Sequence, residues 1–301
     1  DMMRLYDILR ISYFTDSGTS NEIYENQIKK IAIARDSYAL LMANGQVRMV
    51  DIHTGESWEL WLFRKSIDIA TGFDHIIGLR EDGSAVYAST KSQSQHEYEM
   101  NWHGGVSVAA CEGHSAMVKT DGTVFCTDYF SGVIYPEVPK YNKDVSNWKN
   151  IKQIALTYED PFALTCGGEI YSARQDINSY FNNCDGDIVQ IDAFGAYYAN
   201  HIVAALYSNG TTKACEVYED KYRIIEDISE WRNLKKISCG NYAAVIGLTK
   251  DGKVLFPKNR KYKNRHGDVV KVLDNIIDIA TNFEHLIALS RTGEIIYLSS
   301  W

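Results

Sequence analysis

One sentence of sequence is repeated seven times. Ile279-Ala280-Thr281-Asn282-Phe283-Glu284-His285-Leu286-Ile287-Ala288-Leu289 is followed by Gly293 and Ile295-Ile296-Tyr297, and Ile69-Ala70-Thr71-Gly72-Phe73-Asp74-His75 opens nearly the same phrase. Two anchors fix the register. The first is a β-branched residue, at Ile31, Ile69, Val108, Ile154, Ile191, Ile237 and Ile279, followed by Ala in five of the seven. The second is a glycine, at Gly45, Gly83, Gly122, Gly168, Gly210, Gly252 and Gly293. The two lie 14 residues apart in five repeats, 15 in the sixth and 19 in the fifth, where Phe194–Asn200 carries the excess. Successive glycines are 38 to 46 residues apart, a period near 41 that belongs to propellers and solenoids.

Each repeat has the same internal physics. Asn44, Asp82, Asp121, Asn209 and Asp251 stand directly before their glycines, and such pairs supply the positive φ angles of a type I′ hairpin, so a tight antiparallel turn is expected there. Apolar residues lie four before the glycine (Leu41, Leu79, Val118, Leu164, Leu206, Leu248, Leu289), and most positions two after it are apolar as well. Both places fit strands with a buried face. The small residues after the first anchor suit an innermost strand where sheets converge on an axis. Each repeat therefore reads as three short strands, with the linker free to supply an outer fourth. Such sheets bury their faces only by stacking on neighbours. The expectation is an all-β, single-domain, seven-bladed propeller over 28–301, without long helices. Residues 1–27 are expected to close the ring, with a strand over 5–14 beside the blade that ends at Trp301. Trp102, Trp148 and Trp231, with Phe63 and Leu273, sit six residues before their anchors and read as packing between blades.

Composition narrows function more than it names it. The net charge of −8 disfavours nucleic acid, which needs a cationic footprint. The one basic run, Lys258–His266, reads as a solvated loop. Six scattered cysteines without a C-x-x-C pair exclude a zinc or thioredoxin-like motif and read as free thiols in a reducing, cytoplasmic setting. No run of 18 apolar residues is present, so membrane insertion is not expected, and no signal peptide is visible. The chain begins at Asp1 rather than Met, which points to residues removed upstream. His75, His114 and His285 recur at one register in different blades, which suits a repeated structural hydrogen bond better than a shared metal. His201 and the remaining histidines show no spacing that suggests a common site.

The repeat resembles that of the regulator-of-chromosome-condensation family. The residues that carry the likeness are the β-branched–Ala start, the glycine at Gly72 and Gly240, the histidine at His75, His114 and His285, and the Asp-Gly with a following valine. Asp144-Val145-Ser146-Asn147-Trp148 and Asp227-Ile228-Ser229-Glu230-Trp231 are similar to the bacterial branch. The family implies a seven-bladed propeller that binds proteins. Its eukaryotic members include a nucleotide-exchange factor for a small GTPase, and a bacterial member of similar blade design inhibits β-lactamases through aromatic loops on one face. No GTPase-facing motif is present here.

The loops between first and second strands should ring one mouth of the channel. They hold Arg35-Asp36, Phe73-Asp74, Glu112-Gly113, Tyr158-Glu159-Asp160, Phe194 to Tyr198, Asn241-Tyr242 and Phe283-Glu284. Rigid aromatics give contact area at low entropic cost, and charges select the partner. In the β-lactamase-inhibiting relative such loops form the binding face. The expected partner-binding set is therefore Arg35, Phe73, Asp74, Glu112, Tyr158, Glu159, Tyr197, Tyr198, Tyr242, Phe283 and Glu284; alternatively these aromatics only lid the channel. The acidic rim calls for a protein partner with a basic patch, bound by a monomer. Catalytic motifs are absent, and no cofactor or metal is expected. A carbohydrate-binding propeller is the alternative, since tyrosine faces also stack on sugars. A lyase or hydrolase using Asp74, Glu112, Glu159, Asp160 and Glu284 is the third reading.

Overall fold

The computed structural model describes residues 28–90, 96–126, 145–184, 186–196, 200–218, 221–241, 244–258, 261–264, 266–283 and 285–300. Seven antiparallel sheets stand in a ring, so the protein is a seven-bladed β-propeller. Blade 1 comprises β1 (Ile28–Ile33), β2 (Ser37–Met42), β3 (Val47–Asp51) and β4 (Ser57–Leu60); blade 2 comprises β5 (Ser66–Thr71), β6 (His75–Arg80), β7 (Ala85–Ser89) and β8 (Glu97–Glu99). Blade 3 is β9 (Gly105–Cys111), β10 (His114–Lys119) and β11 (Val124–Cys126), and blade 4 is β12 (Ile151–Leu156), β13 (Pro161–Thr165) and β14 (Ile170–Tyr171). Blade 5 is β15 (Ile188–Phe194), β16 (His201–Tyr207), β17 (Thr212–Val217) and β18 (Tyr222–Ile224). Blade 6 is β19 (Leu234–Gly240), β20 (Ala244–Thr249) and β21 (Val254–Leu255). Two short strands follow, β22 (Tyr262–Lys263) and β23 (Val269–Val270), before blade 7 with β24 (Ile276–Asn282), β25 (His285–Ser290) and β26 (Ile295–Ser300).

The hydrophobic core is not one body but seven, one between each pair of neighbouring blades. Strand alternation explains this: Ile76 of β6 packs toward blade 1, and the next residue, Ile77, toward blade 3. The large apolar residue six before the anchor fills these interfaces in the five repeats that have one, with Trp102 partly buried between blades 2 and 3. Phe63, Trp148, Trp231 and Leu273 are buried, and glycines make room for two of them. A Cβ on Gly78 would lie 2.5 Å from the Phe63 ring, and one on Gly247 2.9 Å from Trp231.

Backbone hydrogen bonds latch the blades together. The carbonyl of six of the seven hairpin glycines accepts from the first amide of the next inner strand, as in Gly45 to Ser66, Gly122 to Ile151 and Gly252 to Ile276. The residue before that amide takes positive φ at Lys65, Gly104, Asn150, Asn233 and Asn275, which turns the chain into the next blade. Blade 7 closes on blade 1 through Ile287, Leu289 and Ile295 against Ile31, Ile33 and Leu40. The strand expected over 5–14 lies outside the described residues. Along Ser299 and Ser300 the outer neighbour is β22, which Tyr262 and Lys263 supply from the linker leaving blade 6.

Two linkers depart from the expected outer strand. In blade 4 the place is taken by α1 (Gln175–Asn182), whose Ile177 and Phe181 join the core between blades 4 and 5. The basic run Lys258–His266 is not simply a solvated loop: Tyr262, 3% exposed, packs into the core between blades 6 and 7. Among the described residues no helix is long and apolar enough to cross a membrane.

Candidate functional site

Seven inner strands enclose a channel of about 200 Å³. Its two mouths are chemically different, because the inner strands all run the same way and carry different residues at their two ends. At the end where the inner strands finish, loop residues meet over the axis. The Phe73 and Phe283 rings, from blades 2 and 7, lie edge to face with centroids 4.9 Å apart. Phe194 of blade 5 meets Phe283 from the far side at 5.1 Å. The Arg35 guanidinium stands 4.6 Å over the Phe73 ring. Edge-to-face pairs contribute about 0.5–1.5 kcal/mol each beyond burial, so three blades are tied across the axis by this plug.

Backbone bonds fix the loops beneath it. The Arg35 amide donates to the Phe73 carbonyl (3.2 Å), the Phe73 amide to Glu112 (2.8 Å) and the Asn241 amide to Phe283 (2.9 Å). Gly72 permits this approach, since a Cβ there would lie 2.5 Å from the Glu112 carbonyl oxygen and collide with the His75 ring. Glu112 and Phe283 hold positive φ at matching places in blades 3 and 7.

Glu112 is the electrostatic peculiarity of this mouth. Its Oε2 is buried and makes no hydrogen bond among the described residues. Burial, with help from the Asp74 carboxylate, pushes its pKa up to about 7, although Arg35 pulls the other way. The group is therefore a half-buried acid that titrates near neutrality.

The other expected residues divide. Phe73, Asp74 and Phe283 are half-buried at the mouth, and Arg35 and Glu159 are exposed. Tyr158 is not a surface aromatic. It is 5% exposed and wedged between the His114 and His201 rings, with centroids 5.8 and 6.3 Å away. Asp160 is buried too, in a turn where its amide donates to Thr157 Oγ1. Tyr197, Tyr198, Tyr242 and Glu284 lie outside the described residues.

The recurring histidines are structural at His75 and His285, but they do not repeat one hydrogen bond: the ring nitrogen used and the partner differ. His75 Nε2 bonds Ser115 Oγ of the next blade at 2.9 Å, and burial depresses its pKa to about 4. His285 Nδ1 meets the Tyr297 hydroxyl at 2.7 Å. His201 joins this belt despite its different spacing, leaning on Glu159 at 3.7 Å. Gly195 makes room for it, since a Cβ there would lie 2.7 Å from the His201 ring. All six cysteines are free.

Sequence reasoning missed what stands one residue before each anchor: Lys30, Asp68, Ser107, Gln153, Gln190, Lys236 and Asp278. Lys30, Gln153, Gln190 and Lys236 line the channel, and most of the seven join one blade to the next. Gln153 takes both backbone bonds of Ile191, and Gln190 both of Ile237. Asp68 accepts from the Val108 amide, and Asp278 from Ile31 across the ring closure. Lys30 pairs with Asp68, and Lys236 with Asp278. Deeper in the channel, Asp192 accepts from the Cys239 amide at 2.8 Å, and Ser238 from Thr281 at 3.0 Å. Burial raises the Asp192 pKa to about 6. The signal was a polar residue in all seven repeats directly before a β-branched anchor.

No protein-family model matches the chain, and no curated protein does. Solved structures match over nearly its whole length. Human WBSCR16 is 15% identical, with 91% of this chain and 87% of that one covered and a TM-score of 0.60. The β-propeller domain of Cps50 (Swd1) from Myceliophteria thermophila is 14% identical, with 93% and 99% covered and a TM-score of 0.57. Prp20p from Saccharomyces cerevisiae is 13% identical, with 91% and 68% covered and a TM-score of 0.44. At such identities the likeness to the first two is a likeness of fold, that of a β-propeller.

Proposed function

We propose that this propeller is a non-catalytic protein-binding module that receives its partner at the plugged mouth. The observation that carries the reading is the Arg35–Phe73–Phe283 cluster, three side chains from three blades already locked together and still half open to solvent. A preassembled aromatic platform loses little entropy when a partner covers it. Around it stand Asp36, Asp74 and Glu159, which favour a partner with a basic patch. The resemblance of the repeats to a family of protein-binding propellers, including its bacterial branch, points the same way. Tyr158 takes no part in binding in this reading, because it is core.

The test is affinity capture from the source organism, with bound proteins identified by mass spectrometry. Wild type is compared with Phe73→Ala/Asp74→Lys. A basic partner retained by wild type and lost by the variant, at melting temperatures within about 2 °C, is the expected result. Equal capture by both proteins would remove the site from this mouth.

A further inference from the structure

The opposite mouth, where the inner strands begin, has a surface of its own. In every blade the inner strand carries a β-bulge against the second strand, and the register skips one residue. The residue left unpaired lies two before the anchor. Each one is turned out to solvent, next to the half-buried polar residue that precedes the anchor. A bulge re-aims its side chain, and seven at one height build a ring.

The occupants of that ring are not what a solvated edge selects. Four are β-branched and apolar: Ile67, Val106, Val189 and Ile277, between 37% and 49% exposed. The other three are Lys29, Lys152 and Lys235. Lys29 Nζ reaches the Ile67 carbonyl at 3.1 Å, whereas Lys152 and Lys235 make no ion pair among the described residues. Just inside stand Lys30 and Lys236 with Asp68 and Asp278, and both carboxylates are already bonded to lysines and backbone amides. Within the ring Lys29, Lys152 and Lys235 are thus left without a carboxylate among the described residues, while the hairpin acids Glu81, Asp121 and Asp251 at the same end pair with Lys65, Lys119 and Lys253. Alternating apolar and cationic groups around a shallow depression match a segment that alternates apolar and anionic groups.

We propose that this mouth is a second interaction surface, for an acidic peptide segment with aliphatic or aromatic side chains. Its carboxylates meet Lys152, Lys235 and Lys29, and its apolar side chains rest on Ile67, Val106, Val189 and Ile277. The surface is independent of the plugged mouth and opposite to it in charge preference, so the propeller can hold two partners at once.

A random twelve-residue peptide library selected on the full chain tests this. Enriched peptides are expected to be net acidic and to contain large apolar residues. A synthetic copy of the most enriched one, followed by fluorescence anisotropy, should bind at least tenfold more weakly to Lys152→Glu/Lys235→Glu and to Ile67→Ser/Val189→Ser. Both pairs sit at exposed bulged positions, so melting temperature should hold; if one pair unfolds the protein, the other carries the test. Binding should weaken in 0.5 M salt and be unchanged by Phe73→Ala. Absence of enrichment, enrichment of neutral or basic peptides, or wild-type affinity retained in both pair variants overturns the proposal. So does loss of binding in Phe73→Ala, which would return the ligand to the other mouth.

Discussion

Glu112 shows how one residue reports on its place in the ring. The carboxyl ordinarily ionises near 4.5, and here it does so at about 7 because the folded loop buries it beside Asp74. The folded state therefore holds a proton that the unfolded state has released between these two pH values. Stability from this group is complete below about 4.5 and is lost as pH rises through about 7. Glu112→Gln should leave stability unchanged at pH 4 and raise it at pH 8, by about 1–2 kcal/mol after allowance for solvent at the mouth. Urea denaturation at the two pH values measures the difference. Glu112 was legible in the sequence as a loop carboxylate. Its burial was not, because the charged groups around it, Asp74 and Arg35, come from other blades.

At the level of elements, hairpins were legible and edges were not. Asn-Gly and Asp-Gly pairs marked their turns, but not as type I′: the hairpin glycines take φ values between +75° and +90°, whereas Asn44, Asp82, Asp121, Asn209 and Asp251 keep negative φ, so only the glycine supplies the left-handed residue. The outer positions have no local rule. A helix fills one in blade 4, and β22 reaches across from blade 6 to blade 7, because whatever covers an edge is chosen by the neighbouring blade's surface. The polar ring before the anchors belongs to this scale too. Gln190 satisfies both backbone groups of Ile237, which would otherwise face the channel unpaired. Gln190→Ala should cost about 1–3 kcal/mol. Hydrogen exchange, followed by mass spectrometry, should then speed up in the peptide spanning Ile237 and stay unchanged in blade 2. Uniform acceleration would mean that the bond supports the whole ring rather than one joint.

For the molecule as a whole, closure is the decisive feature. An open array of repeats frays from its ends, whereas a ring has no end until the joint between blades 7 and 1 opens. Ile287 is fully buried in that joint. Ile287→Ala should cost about 2–5 kcal/mol. Because the joint holds the ring, the loss should be felt by Trp148 and Trp231 in distant blades. Their fluorescence and the far-ultraviolet circular dichroism should shift to the same lower urea midpoint. Separate midpoints would show blades that unfold independently.

Sequence by itself determined the number of blades, the hairpins, the positions that fill the interfaces and the loops that gather at one mouth. Each of these rests on periodicity or on φ preferences that act within a few residues. Only the tertiary structure decided that Phe73, Phe194 and Phe283 meet, that Tyr158 is core, and that seven bulges turn four apolar residues and three lysines outward at the other mouth. Those facts depend on the angle between blades that are remote in the chain, and no local pattern encodes an angle.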